Sequence, residues 1–292
     1  FGKIKIKPVR IQFIITLLVH EMPSTFVPAA STPSIFLGLD LSTQSLSITA
    51  LSCPTLPAIL DDDTSNEDTS NLEYRKIENL TNSSNVIWST SVNYSSSLPT
   101  SSGITQSGIT QSPSGTITQS VSVYLHALDV AMSRMSEDGV MSRMIKHVKA
   151  IGGGAQQHGA VYWSGEGEKL VKNMNEEGRS NQGDGKGTKF QGLEEKGAFS
   201  RTECTIWMDS STTSLCSELN SLIGEEEVRS CTGASFTPRF TGPQIGKFAR
   251  EDKECYKRTE RIQLISTFLT SMLVGYLAPA DYADSSGQNL LN

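Results

Sequence analysis

Apolar positions along this chain fall into separated bursts, and the period inside each burst names an element. Ser34 to Asp40 carries the almost unbroken apolar run Ile35-Phe36-Leu37-Gly38-Leu39, suited to a buried strand. Leu41 to Ser45 is small and hydroxylated and turns the chain, so Leu46 to Leu51 is predicted as a returning strand. Val86, Trp88, Thr90, Val92 and Tyr94 alternate with polar or small residues, as a half-buried strand does. The period then changes. Val121, Leu125, Leu128, Met132 and Met135 recur at spacings of three and four, giving a helix one apolar stripe. His147 to Ile151 predicts a strand that breaks into Gly152-Gly153-Gly154. Asp209 or Ser210 can cap a helix that stops at Gly224, and Pro243 can open a short helix over 243–250. Ile262, Leu264, Ile265, Phe268, Leu269, Met272 and Leu273 predict an apolar helix closing near Gly275. A hairpin, a third strand, then alternating helix and strand predict an α/β sheet with helices packed on it.

Between the bursts lie stretches without period. Residues 53–85 are acidic and Ser/Asn/Thr-rich, 95–120 hold Gly-Ile-Thr-Gln-Ser twice (103–107 and 108–112), and 164–200 are charged and glycine-rich. Each is expected to be an exposed, poorly ordered insert, because it offers too little apolar surface to offset chain entropy. Gly183 to Thr188 imitates a phosphate loop but fails its spacing, since glycine follows Lys186. Residues 1–33 are predicted to be a disordered extension. Lys3, Lys5, Lys7 and Arg10 precede the short apolar run Ile11 to Val19, roughly the layout of a secretory signal and too short for a membrane span. The chain starts with Phe1, so Met22 is expected to be the translation start.

Composition narrows the function classes. A net charge of −6, a pI near 5.3 and the lack of a basic stripe argue against a nucleic-acid partner. No segment is long and apolar enough to predict a membrane partner. The cysteines, Cys53, Cys204, Cys216, Cys231 and Cys255, form no C-x-x-C pair, so neither a disulfide framework nor a zinc site is predicted. A reducing cytoplasmic location is expected.

Candidate chemistry sits where the predicted strands end. In Leu39-Asp40-Leu41-Ser42-Thr43-Gln44-Ser45 a carboxylate precedes a tight hydroxylated turn. Such a turn can aim N–H groups and a hydroxyl at a phosphate while Asp40 holds a hydrated magnesium; it also reads as an ordinary Asx-turn. Gly154-Ala155-Gln156-Gln157-His158-Gly159 places carboxamides and an imidazole at a strand end, uncharged groups suited to a polyhydroxylated molecule. In Ile206-Trp207-Met208-Asp209-Ser210-Ser211-Thr212-Thr213 an aromatic face stands beside a carboxylate, as a sugar requires, although Asp209 also fits a helix cap. Arg239-Phe240-Thr241-Gly242-Pro243-Gln244-Ile245 adds a cation at a helix start, where it also reads as a loop residue.

In order, these segments resemble L-G-L-D-x-S-T-Q, G-x-Q-Q-H-G-x-x-Y-W, W-M-D-S-S-T-T and R-F-T-G-x-Q-I of the eukaryotic D-xylulose kinases, in the FGGY carbohydrate kinase family. Thr259 to Ser266 is similar to that family's T-E-R-I-x-L-x-S, and Asp281 to Leu291 to the stretch closing its first domain. The resemblance runs over about 34–292 apart from the inserts. It implies a ribonuclease H-like domain of the actin/hexokinase-like ATPase superfamily, the first of two. It further implies transfer of the ATP γ-phosphate to the 5-hydroxyl of D-xylulose. Asp40 matches the family's carboxylate for Mg, held through water, with Thr43 in the phosphate-binding turn. Gln157 and His158 match its sugar-contacting pair, Trp207 and Asp209 its substrate wall, and Arg239 a second sugar anchor. Where the family has S-R-A-Y, this chain has Ala234-Ser235-Phe236-Thr237, with Pro238 beside Arg239. The family's G-D-N segment, with the catalytic base, and its adenine-binding segments are expected beyond Asn292, in a missing carboxy-terminal domain. Without them the chain alone is expected to be inactive. Alternatives are a kinase for another pentulose or polyol, and a non-catalytic sugar-binding fragment.

Overall fold

A computed structural model of the 292-residue chain describes residues 13–15, 34–53, 84–98, 108–180 and 189–290. The chain forms two compact units. The first contains Phe1–Asp40, Ser47–Ser91 and Ser133–Gly154, and the second contains Leu41–Leu46, Val92–Met132 and Ala155–Asn292.

The first unit is organised by a sheet of order β1-β7-β2-β3-β4. Its strands are β1 (Phe13–Ile15), β2 (Ser34–Leu41), β3 (Ser45–Cys53), β4 (Asn85–Asn93) and β7 (Val148–Ala155). Ile35, Leu37 and Leu39 alternate inward along β2, as the two-residue period requires, and Ile48 and Ala50 do so on β3. The glycines do not break β7. Gly152 and Gly153 pair with Ile14 and Phe13 of β1, and the antiparallel ladder holds their backbone extended. The amino-terminal extension therefore contributes a strand at 13–15. Met22, the insert over 54–83 and the Gly183–Thr188 segment lie outside the described residues.

In the second unit the hairpin β5 (Ile109–Gln111) and β6 (Ile117–Ser120) pairs along β6 with β10 (Glu203–Thr205), all antiparallel. This corrects the low-complexity reading of 95–120 for its described second half. The second Gly-Ile-Thr-Gln-Ser copy supplies a β-branched arm, and Ser112-Pro113-Ser114-Gly115 closes the turn with Gly115 at φ +83°. The other sheet sets β8 (Ala160–Ser164) between β9 (Phe199–Arg201) and β11 (Thr259–Leu264). Ala160, Val161, Tyr162 and Trp163 are fully buried. Among the described residues the helices of eight or more residues are α1 (Val121–Glu137), α2 (Gly167–Ser180), α3 (Thr213–Ile223), α4 (Glu225–Thr232), α5 (Thr241–Glu251) and α6 (Ile265–Val274).

Two further expectations change. Ile262 and Leu264 belong to β11, not to the apolar helix, which starts at Ile265. Arg261 to Leu264 pair with Trp163 to Ala160 of β8, the register shifting between Thr259 and Arg261, and apolar residues at 262, 264 and 265 satisfy either period in sequence. Nor is 164–200 an exposed insert throughout. Helix α2 buries Val171 and Met174, and the turn Gly192–Glu195 buries Leu193. Their few apolar residues are spaced on one face among many charges, which hid the helix.

Trp163 packs against Phe199 and Phe268 at ring distances of 4.7 and 5.9 Å. Its Nε1–H donates to Gln263 Oε1 at 2.8 Å, and Gln263 Nε2 donates to the Ala278 carbonyl at 2.7 Å. The Ser271 hydroxyl lies 3.1 Å from the same Oε1 and accepts the Ala278 N–H at 2.9 Å. A buried amide thereby ties β8, β11, α6 and the following loop into one satisfied network. Gln263→Leu should leave these partners unpaired and lower stability by about 1–3 kcal/mol, read as a lower urea midpoint at unchanged slope.

Candidate functional site

The site begins with the turn over Leu41–Leu46. Its carbonyls are occupied from behind: Tyr94 donates its hydroxyl to Ser42 O at 2.8 Å and its N–H to Gln44 O at 3.0 Å. Gln119 Nε2 donates to Thr43 O at 2.8 Å. That leaves the Thr43 hydroxyl on the front of a fixed turn. It accepts the Trp207 indole N–H at 3.0 Å and lies 3.4 Å from Gln156 Oε1. Gln156 Nε2 donates in turn to Gln119 Oε1 and Tyr124 Oη, both at 2.8 Å. Tyr124 donates its own proton to Gln119 Oε1. Burial, with Cys204 and Tyr94 nearby, pushes the Tyr124 phenol well above its usual range, so it stays a donor.

Gln157, His158 and Gly159 connect β7 to β8. His158 sits at φ +63°, a left-handed conformation uncommon for a residue with a side chain. The Gly159 N–H closes back on Gln157 O at 2.8 Å. A Cβ at Gly159 would lie 2.3 Å from Ile265 Cδ1, so any side chain there would require Ile265 to shift. The His158 ring stacks on Phe240 at 4.8 Å, and Thr241 donates its hydroxyl to His158 O at 3.3 Å. The Arg239 side chain, next to that Phe240 platform, is exposed, as is Gln157. Pro238 is accommodated: its carbonyl accepts Thr212 Oγ1 at 2.5 Å and Gln244 Nε2 at 2.8 Å, and Phe240 N–H bonds Thr237 O.

Asp209 takes a different position from either reading of it. It does not cap α3, whose first residue is Thr213, and it does not line an open wall, being 1% exposed. Its Oδ1 accepts the Ile117 N–H at 2.8 Å, and its Oδ2 accepts Gln244 Nε2 at 2.6 Å and Ser211 Oγ at 2.7 Å. A buried charge needs such donors, and meeting them draws the side chain inward. The open wall is Trp207, 44% exposed, with Met208 beside it.

Thus the second unit brings together Thr43, Gln156 and Trp207 in one hydrogen-bonded chain, and His158 with the loop of Arg239. Asp40 belongs to the first unit, exposed at the penultimate position of β2. Sequence reasoning passed over Gln119, Tyr124, Phe240 and Gln244. Gln119 was hidden in the repeated Thr-Gln-Ser text and Tyr124 lies off the apolar stripe of α1. Phe240 and Gln244 lay inside the quoted motif but read as packing.

No family model matches the sequence. The chain is 38% identical over 173 residues to D-xylulose kinase A of Aspergillus niger, covering 59% of this chain and 28% of that protein. It is 36% identical over 177 residues to the xylulose kinase of Rattus norvegicus, covering 60% and 30%. The chain is similar to part of these D-xylulose kinases. It spans less than a third of the length of these D-xylulose kinase relatives. Its fold is like that of solved sugar kinases. A crystal structure named as a xyloylose kinase, from Brucella ovis, superposes with a TM-score of 0.55 at 17% identity, covering 88% of this chain and 38% of that one. Among the described residues, no helix is long and apolar enough to cross a membrane.

Within this chain, support from buried and from exposed candidate residues should separate in stability. Asp209→Ala should cost about 2–4 kcal/mol by stranding buried donors, whereas Arg239→Ala on the exposed loop should stay within about 0.5 kcal/mol. Chemical denaturation of the two variants beside the parent chain checks both.

Proposed function

We propose that the protein carrying this chain is an ATP-dependent xylulose kinase, and that the second unit supplies its sugar-facing surface. The observation that carries this reading is the continuous hydrogen-bonded path from Trp207 through Thr43 to Gln156. It joins an open indole face and a hydroxylated turn directly to the Gln157-His158 loop. An aromatic face takes the apolar side of a sugar, while Gln157, His158 and Arg239 supply donors and acceptors for its hydroxyls. Phosphoryl transfer depends mainly on positioning and on neutralising charge. Here positioning comes from a turn whose carbonyls are already bonded, which holds the Thr43 hydroxyl in a fixed place.

The donors present fit ATP with magnesium. Asp40 is a single exposed carboxylate followed by Ser42 and Thr43, and magnesium in phosphoryl transfer is held by one or two carboxylates plus water and substrate phosphates. When bound, that ion supplies charge neutralisation at the transferring phosphate. Among the described residues no cluster of His, Cys, Asp and Glu forms a direct metal cage. Asp209 acts through others. It fixes Gln244 and the 207–211 loop, so we assign it to positioning the Trp207 wall.

A coupled ADP-release assay of the full gene product with D-xylulose, D-ribulose and glycerol tests the proposal. D-xylulose should give the highest kcat/KM; preference for glycerol or D-ribulose would move the assignment to another polyol or pentulose, and no turnover with any would leave a sugar-binding role. His158→Ala should lower kcat/KM for D-xylulose by about 5- to 150-fold, the equivalent of a lost hydrogen bond of about 1–3 kcal/mol, with the KM for ATP nearly unchanged. An unaltered D-xylulose kcat/KM would make His158 purely structural.

A further inference from the structure

On the second unit, away from the Trp207 wall, a cavity of about 430 Å³ opens between β9, β10 and α5. That volume lies within the usual range for small-molecule sites. Its cations are Arg201, Lys247 and Arg258. The Arg201 guanidinium lies over the rings of Phe248 and Tyr162 at 5.0 and 5.4 Å, and among the described residues no carboxylate is in ion-pair contact with it. Arg258 is exposed and likewise without an ion pair there. Lys247 has a side chain only 14% exposed, yet Nζ contacts two neutral hydroxyls, Thr116 Oγ1 at 2.6 Å and Ser211 Oγ at 2.7 Å. Its nearest carboxylate, Glu251, stands off at 3.9 Å.

Two residues of the lining also carry buried polar atoms without a partner. Gln244 spends its Nε2 on Asp209 and Pro238, which leaves Oε1 buried with no partner on a residue 2% exposed. Exchanging the two amide atoms would set an oxygen against the Asp209 carboxylate, so this orientation is fixed by chemistry. Thr205, 3% exposed, has a hydroxyl with no hydrogen-bond partner. It influences the buried Tyr162 phenol, which burial pushes up to about 12, but the two hydroxyls do not meet hydrogen-bond geometry. The carboxylates on the lining are engaged only locally or not closely: Asp252 accepts the Cys255 N–H and Glu203 accepts the Thr202 hydroxyl.

We propose that this cavity is a second ligand site, for a small polyhydroxylated molecule bearing a phosphate group. The guanidinium groups of Arg201 and Arg258 and the Lys247 ammonium would take the dianion, a pairing in which guanidinium geometry gives strong bonds. The free lone pairs of Glu203 and Glu251 would take hydroxyl groups. A purely anionic ligand would be repelled by the three carboxylates, and an uncharged sugar would leave the cations unmet. Both charge signs around one cavity select the combined molecule. The proposal stands apart from the sugar-kinase reading, because none of the residues assigned to D-xylulose lines this cavity.

Isothermal titration of the chain with D-ribose 5-phosphate, D-ribose and inorganic phosphate tests it. D-ribose 5-phosphate should bind at least tenfold more tightly than either component alone. Arg201→Gln and Arg258→Gln should each weaken it by tenfold or more, with melting curves confirming folded variants; Arg258 is exposed, so its variant keeps the test valid if Arg201→Gln unfolds. Binding should persist in His158→Ala and should not be displaced by D-xylulose. Equal affinity for inorganic phosphate, indifference to the Arg258 substitution, or displacement by D-xylulose would each overturn the second site. The last outcome would place the ligand in the sugar site and leave the kinase proposal standing.

Discussion

The carboxylate of Asp209 is the point at which segments distant in sequence meet. The β5–β6 hairpin offers it the Ile117 N–H, the Trp207 loop offers Ser211, and α5 offers Gln244. A buried anion tolerates no missing donor, since each unmet bond in low dielectric is expensive. The placement of the indole wall, and of the 238–240 loop through Gln244 and Pro238 O, follows from satisfying that one charge. The Trp207–Thr43–Gln156 path then depends on where the wall comes to rest.

A second amide cluster plays the same part behind the turn. Gln119, Gln156 and Tyr124 bond one another and hold Thr43 through its carbonyl. Neutral amides suit this task because they supply rigid donors and acceptors without adding a charge near an incoming phosphate. The chain thus buries a carboxylate at Asp209 for support and keeps Gln157 exposed.

The sequence made the strands β2, β3 and β4, the helix α1 and the motif order legible, because long bursts with one period admit one reading. It was poorer where elements are short or where composition conceals period. The β5 arm is only three residues inside a repeat, and its pairing with β6 is a tertiary fact. The apolar residues of α2 are diluted by lysine and glutamate, so the charged text outweighed the stripe. Trp207, Gln157, His158 and Arg239 could be singled out as candidates by type and spacing. The inward turn of Asp209 could not, because it depends on Ile117 and Gln244, which sequence does not place next to it.

The thiols carry a practical consequence. Cys53, Cys204, Cys216 and Cys255 are buried, burial pushes the Cys204 thiol up to about 12, and Cys255 donates its S–H to Ser200 O at 2.9 Å. Thiolate chemistry requires both deprotonation and access. Only Cys231, on α4, has the access. A maleimide dye added to the native fold would therefore attach at one position, giving a single-site fluorescent reporter without any cysteine having to be engineered in or out.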